Sequence, residues 1–323
     1  MLDTVSIQDP ASGALAEFLP GRGMTCCSAR LAAGGELVEI VWCPEGFREA
    51  GARASSGGIP ILCPYPGRLA STRMAFEGRE FDLEPADPLG RPIHGFAHDR
   101  PWRVLEVSAS AVTAAFQLSF DAAERLPRWP ADFRLTVEWR ITAAELVGQF
   151  TLTALGRMPA ALGLHPYLPV PLGSGGDAEA CLLDVPARLW QPQQELLPVG
   201  PLAPSTQRAA FPGQISLSGR GFDDVFTGLD VRESGCEAAV DAPSGEVVTA
   251  VIDPAAGLAA EVRFDPVFSV CVLFTPPHRE AVCIEPYTVL PGADAFDPSR
   301  GWKLLDAGES LKATVRFCLA ASR

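Results

Sequence analysis

Apolar and polar residues alternate with a period of two through much of this chain. The clearest run sets Phe133, Leu135, Val137, Trp139 and Ile141 on one face, with Arg134, Thr136, Glu138, Arg140 and Thr142 on the other. Successive side chains of a strand point to opposite faces, so this pattern predicts a half-buried antiparallel strand with one wet side. Residues 313–319 repeat it. Segments 104–120, 148–154, 246–253, 258–264 and 267–274, rich in Val, Phe and Thr, also read as strands. Asp253-Pro254, Asp265-Pro266 and Ala307-Gly308 punctuate them. Helical periodicity with caps is almost missing. Segments 169–177 and 191–211 read as long loops, of the kind that wall a binding site or cover a sheet edge. Many short strands and hardly any helix predict an all-β chain, a β-sandwich or closed barrel, folded as one domain over residues 1–323.

Composition narrows the function classes. Thirty glycines and thirty prolines in 323 residues suit strands joined by tight turns. The chain is 47% apolar and 20% charged, enough material for a core. Its 39 acids against 26 bases leave a formal charge of −13. That balance argues against nucleic acid and anionic membrane surfaces as partners, because binding phosphate needs clustered Lys and Arg. The first residues lack the basic cluster and apolar run of a secretory signal. Nine cysteines, none at a zinc-ligand spacing from another Cys or His, read as reduced thiols with no metal. A cytoplasmic protein, monomer or homodimer, is the expectation.

Four histidines are few enough to weigh singly. His98 and His278 sit in charged or Pro-rich turns and read as ordinary surface or core residues. His94, in Pro92-Ile93-His94-Gly95-Phe96, and His165, in Gly163-Leu164-His165-Pro166-Tyr167, are enclosed by Gly, Pro and aromatic residues. Such backbones are stiff, as a catalytic imidazole requires. Glu285 follows the apolar run Ala281-Val282-Cys283-Ile284. A carboxyl there must find a partner or rise in pKa, so it is either a structural ion pair or a general base. Arg68 lies on the Pro/Gly-stiffened turn Pro64-Tyr65-Pro66-Gly67-Arg68, and Asp223 and Asp224 lie between Phe222 and Phe226. Each of these also reads as a plain ion pair or turn residue.

Taken together and in order, the segments resemble the aldose 1-epimerase (galactose mutarotase) family. They are Gly58-Ile59-Pro60 leading to Pro64–Leu69, His94-Gly95-Phe96-Ala97 followed by Trp102, Leu164-His165-Pro166-Tyr167, Phe222-Asp223-Asp224-Val225-Phe226, Ile284-Glu285-Pro286-Tyr287-Thr288 and Gly301-Trp302-Lys303. The resemblance implies a large antiparallel β-sandwich, the galactose mutarotase-like supersandwich. It implies a cofactor-independent isomerase that interconverts sugar anomers. His165 would protonate the ring oxygen O5 and Glu285 would take the proton of the anomeric hydroxyl. His94, Arg68 and Asp223 would bind the sugar. No metal or cofactor is expected. The sequence departs from the family at Asp224, where several galactose mutarotases carry histidine. It also has His98 where relatives often carry arginine. Aromatic residues such as Phe96, Tyr167, Phe226 or Trp102 could stack on the sugar or simply pack the core.

The expected activity is that of an aldose 1-epimerase on a free hexose or related sugar. Two alternatives stay open: an epimerase for hexose 6-phosphates, for which Arg53, Arg73 and Arg91 lie near Arg68 in sequence, and a non-catalytic sugar-binding or sugar-sensing protein on the same fold.

Overall fold

The alternation at 133–142 becomes the strand Phe133–Ile141, whose odd-numbered residues are buried. The computed structural model describes residues 1–173, 176–232, 245–292 and 296–322, and the counts below refer to these. Phe133–Ile141 lies in a nine-stranded sheet. Its order is Gly213–Ser216, Leu182–Val185, Val247–Asp253, Leu258–Phe264, Ser310–Ala321, Glu145–Ala154, Phe133–Ile141, Ala111–Gln117 and Arg103–Val107. Trp139 pairs with Gly148 across two of these strands. A Cβ on that glycine would come within 2.7 Å of the indole, so the large ring fits because its cross-strand neighbour has no side chain.

A second large sheet carries the site. Its order is Ala203–Pro204, Ala187–Gln191, Asp223–Leu229, Val270–Phe274, Ala281–Tyr287, Gly163–Leu164 and Ile61–Leu62, with Tyr167–Pro169 also paired to Ala281–Tyr287. The paired strands in both sheets run antiparallel. Phe226, Cys271, Leu273, Val282 and Ile284 from one face of this sheet join one hydrophobic cluster with Leu135, Trp139, Phe150, Val262 and Phe317 of the nine-stranded sheet. That is the sandwich core, and it leaves the opposite face of the site sheet free for chemistry. A four-stranded sheet from Val5–Gln8 to Glu36–Glu39 caps the core, with Phe18 against Trp139.

Two sequence expectations change. Segment 104–120 is two strands and a helical turn, because Ala111 N–H turns back to Ser108 Oγ and Asp121 accepts from Gln117 N–H to close Leu118–Asp121. Segment 191–211 is not a plain loop. Gln193–Gln194 pairs with Leu197–Pro198 through Glu195 and Leu196, both at positive φ, and Ala203–Pro204 extends the site sheet. Segment 169–177 includes residues 174 and 175, which lie outside the described residues.

Candidate active site

Strand register brings distant residues together. Asp223 pairs with Phe274, Val272 with Glu285, Phe274 with Cys283, and Cys283 with Tyr167. Period-two alternation then puts Asp223, Val225, Val272, Phe274, Cys283, Glu285 and Tyr287 on the free face of the sheet. The cavity over this face measures about 570 Å³, within the usual range for small-molecule sites. Arg68, His94, His165, Asp223 and Glu285 all line it.

His165 precedes Tyr167 by two residues, which sets its ring beside Glu285. Nε2 lies 3.3 Å from Glu285 Oε1, and both side chains are almost wholly buried. The imidazole stacks on Tyr167, centroids 4.8 Å apart, and the Tyr167 hydroxyl donates to the Ser55 carbonyl at 2.7 Å. The Tyr287 hydroxyl donates to Glu285 Oε2. Burial pushes the Glu285 carboxyl well above the ordinary range, opposed by that hydrogen bond and reinforced by Asp223. Burial also lowers the His165 imidazole, to about 3 rather than near neutrality. Both effects penalise charge in a dry site. Burial thus favours the uncharged form of both groups.

His94 is held differently. It sits at φ +65°, and its backbone N–H donates to Gly67 O at 3.0 Å while Gly67 N–H donates to its ring Nδ1 at 3.3 Å. Nδ1 is thus the acceptor, and in the neutral ring the proton sits on Nε2. Burial first, and the facing His165, keep the ring well below its usual pKa. Gly95 follows at φ +68°, where a Cβ would lie 2.2 Å from Cys63 O, so only glycine lets this loop dock.

Arg68 Nε donates to Asp87 Oδ2 at 2.8 Å, and the other oxygen of Asp87 accepts from Leu89 and Arg91 N–H. The guanidinium is aimed by this carboxylate rather than free. Asp223 faces the cavity and burial raises its carboxyl, with Arg68 opposing. Asp224 points to the other side, where Arg208 (2.7 Å) and Trp190 Nε1 (3.0 Å) hold it. Adjacent acids in one strand thus have separate jobs.

Some other wall residues escaped sequence reasoning. Trp42 stacks on His278 with centroids 4.1 Å apart, and Phe274 and Gln193 also line the wall, as does Arg53, one of the three arginines the sequence offered for a phosphate. His278, in its Pro-rich turn, is not the ordinary surface or core residue its sequence context implies but lines the cavity. Arg53 and His94 also border a second chamber of about 250 Å³, with His98 and Arg125. Phe96, Trp102 and Phe226 pack in the core, whereas Tyr167 reaches the cavity. A period-two reading of residues 281–287 could have found Tyr287; nothing local marks Trp42.

A β-sandwich with a buried imidazole–carboxyl pair lining a cavity on one sheet face has the galactose mutarotase-like fold. The chain is a member of the aldose 1-epimerase family, whose pattern it matches over residues 22–318. Among solved structures it resembles a galactose mutarotase-like protein of Clostridium acetobutylicum, with TM-score 0.82 and 17% identity over 96% of this chain and 94% of that one. It also resembles a GalM/aldose epimerase homologue from C. elegans, with TM-score 0.77 and 15% identity over all of both chains. A protein of Escherichia coli strain K12, provisionally named glucose-6-phosphate 1-epimerase, is 26% identical over 134 residues. That stretch is 41% of this chain and spans only 38% of the relative. Among the described residues, no helix is long and apolar enough to cross a membrane.

Proposed function

We propose that the chain interconverts the α and β anomers of a free hexose or related aldose. The observation that carries this reading is the buried His165–Glu285 pair, 3.3 Å apart, on the cavity floor. Ring opening removes the proton of O1–H and delivers one to O5. In this reading Glu285 passes a proton to His165, giving an imidazolium that can protonate O5 and a carboxylate that can accept from O1. The Tyr287 hydroxyl on Oε2 and the adjacent imidazolium stabilise that carboxylate. After rotation about C1–C2, the same groups run backwards and close the ring on the other face. Each turnover returns the pair to its starting state. His94, through Nε2–H, and the Asp87-aimed Arg68 donate to sugar oxygens, and Asp223 accepts from a hydroxyl.

Polarimetry of fresh α-glucose and α-galactose tests this. H165N and E285Q are expected to lose about 10²–10⁴-fold in rate, the usual worth of positioned proton transfer. Wild-type rates no faster than spontaneous mutarotation across a broad aldose panel would refute the proposal. Sugar binding with no rate enhancement, unaltered by E285Q, would instead favour a sugar sensor.

A hexose 6-phosphate is the second reading, supported by Arg53. This arginine lines the cavity, donates through Nε to Ser55 Oγ at 3.2 Å, and pairs with no carboxylate among the described residues. By contrast, Arg68 pairs with Asp87, Arg91 with Glu195, and Arg73 with Asp82. One unpaired guanidinium against a phosphate of nearly two charges favours the neutral sugar. Comparing kcat/KM for glucose and glucose 6-phosphate decides between them.

A further inference from the structure

We propose that His165, Cys283 and Glu285 form a binding site for one Zn²⁺ ion, and that zinc held there stops the acid–base pair. The spacing of cysteines and histidines along the chain gives no hint of such a site. It arises because Cys283 and Glu285, two apart in one strand, share a face, and the pairing of Cys283 with Tyr167 brings in His165. One ligand atom from each of the three lies within 4.8 Å of the other two, and all three side chains are buried. Among the described residues this is the one group of three potential ligands so placed.

The geometry suits a tetrahedral ion. With Zn–N and Zn–O near 2.0–2.2 Å and Zn–S near 2.3 Å, the N···O edge is about 3.3 Å and the edges to sulfur about 3.6 Å. The His165–Glu285 separation of 3.3 Å already matches. The sulfur needs to close by about 1.2 Å at most, given the outer limit of 4.8 Å. Thiolate, imidazole and carboxylate together select zinc over the hard cations magnesium and calcium. Zn²⁺ with one thiolate and one carboxylate is neutral overall, so the site can stay dry without burying net charge. Tyr287, donating to Glu285 Oε2, supplies the outer hydrogen bond that orients a ligating carboxylate. His165 and Glu285 line the cavity, so the fourth ligand would be water or a sugar hydroxyl from it.

Binding follows a definite balance. Zn²⁺ displaces one proton from the Cys283 thiol and one from the Glu285 carboxyl, both released to solvent, and occupies the His165 Nε2 lone pair. The atoms that would exchange protons with O1 and O5 are then engaged. Only this inhibitory half rests on the proposed mutarotation; the site stands on geometry.

Cobalt provides a readout independent of catalysis. Reduced, metal-free protein titrated with Co²⁺ should develop a near-ultraviolet thiolate-to-cobalt band and intense four-coordinate visible bands, complete at one equivalent and erased by Zn²⁺. C283A should lose the thiolate band and bind zinc about 100-fold or more weakly, with the fold checked by circular dichroism. The near-isosteric C283S and the separate H165N variant serve the same purpose should C283A not fold. Zinc should abolish mutarotation, and EDTA should restore it. Cobalt bound without a thiolate band, or the same band in C283A or C283S, would overturn the site. Mutarotation without the band refutes zinc alone, whereas the band without mutarotation refutes the proposed function and leaves the site standing.

Discussion

Replacing Glu285 by Gln is expected to inactivate the protein and stabilise it together, by an amount that depends on pH. The carboxyl is 2% exposed, and burial raises its folded pKa well above the ordinary value. The unfolded chain then ionises first. Below about pH 4.3 both states are protonated and the residue has no effect through linkage; above it, the unfolded state gains ionisation free energy that the folded state cannot match. The penalty grows by about 1.4 kcal/mol per pH unit until the folded pKa is passed, then levels off. At pH 7 it can reach at most about 3.7 kcal/mol, the full gap between pH 7 and an unfolded pKa of about 4.3. Gln keeps the shape, and its carbonyl still accepts from Tyr287, so little else changes. For 323 residues, an unfolding entropy of about 2.1 cal/mol/K per residue converts that ceiling to about 5 °C in Tm. Urea denaturation of both proteins from pH 4.5 to 9 measures the difference. The pH where it levels off should coincide with the basic limb of wild-type kcat/KM, since both report the ionisation of Glu285 in the folded protein. A difference flat with pH, or E285Q less stable at pH 7.5, would sink the argument.

Two further outcomes follow from neighbouring contacts. In Y287F the hydrogen bond that holds the Glu285 pKa down is gone, so the basic limb of kcat/KM should move to higher pH; an unmoved or lowered limb contradicts the assignment. G95A would force a Cβ to within 2.2 Å of Cys63 O at positive φ, so a loss of about 3 kcal/mol or more in urea denaturation is expected, and a loss below about 1 kcal/mol would show that the His94 loop is not rigidly docked.

Much of the strand pattern was legible because burial on one face leaves a direct trace at period two, as at Phe133–Ile141. Boundaries were blurred where side-chain capping decided them, as at Ser108 and Asp121. Arg68, His94, His165, Asp223 and Glu285 stood out for their stiff or apolar surroundings and for their family resemblance, and they line one cavity. The same alternation explains why Asp223 rather than Asp224 faces it. Trp42 and the grouping of Cys283 with His165 left no trace, because non-local pairing creates them and single-chain spacing does not encode it; of the arginines near Arg68 in sequence, only the fold singles out Arg53 as lining the cavity. Nor does the sequence carry the depth of burial around His165 that lowers its imidazole.

The place of Ser310–Ala321, at the heart of the nine-stranded sheet, bears on how the protein is made. Its two neighbours, Glu145–Ala154 and Leu258–Phe264, both precede it in the chain. During translation at about 5–20 residues per second, the edge of Glu145–Ala154 waits about 10–30 s for its partner to emerge. Meanwhile two long apolar strands present bare hydrogen-bonding edges, an invitation to pair with each other or with another nascent chain. Slowing translation through residues 264–310 should therefore lower soluble yield, whereas holdase chaperones that cover strand edges should raise it.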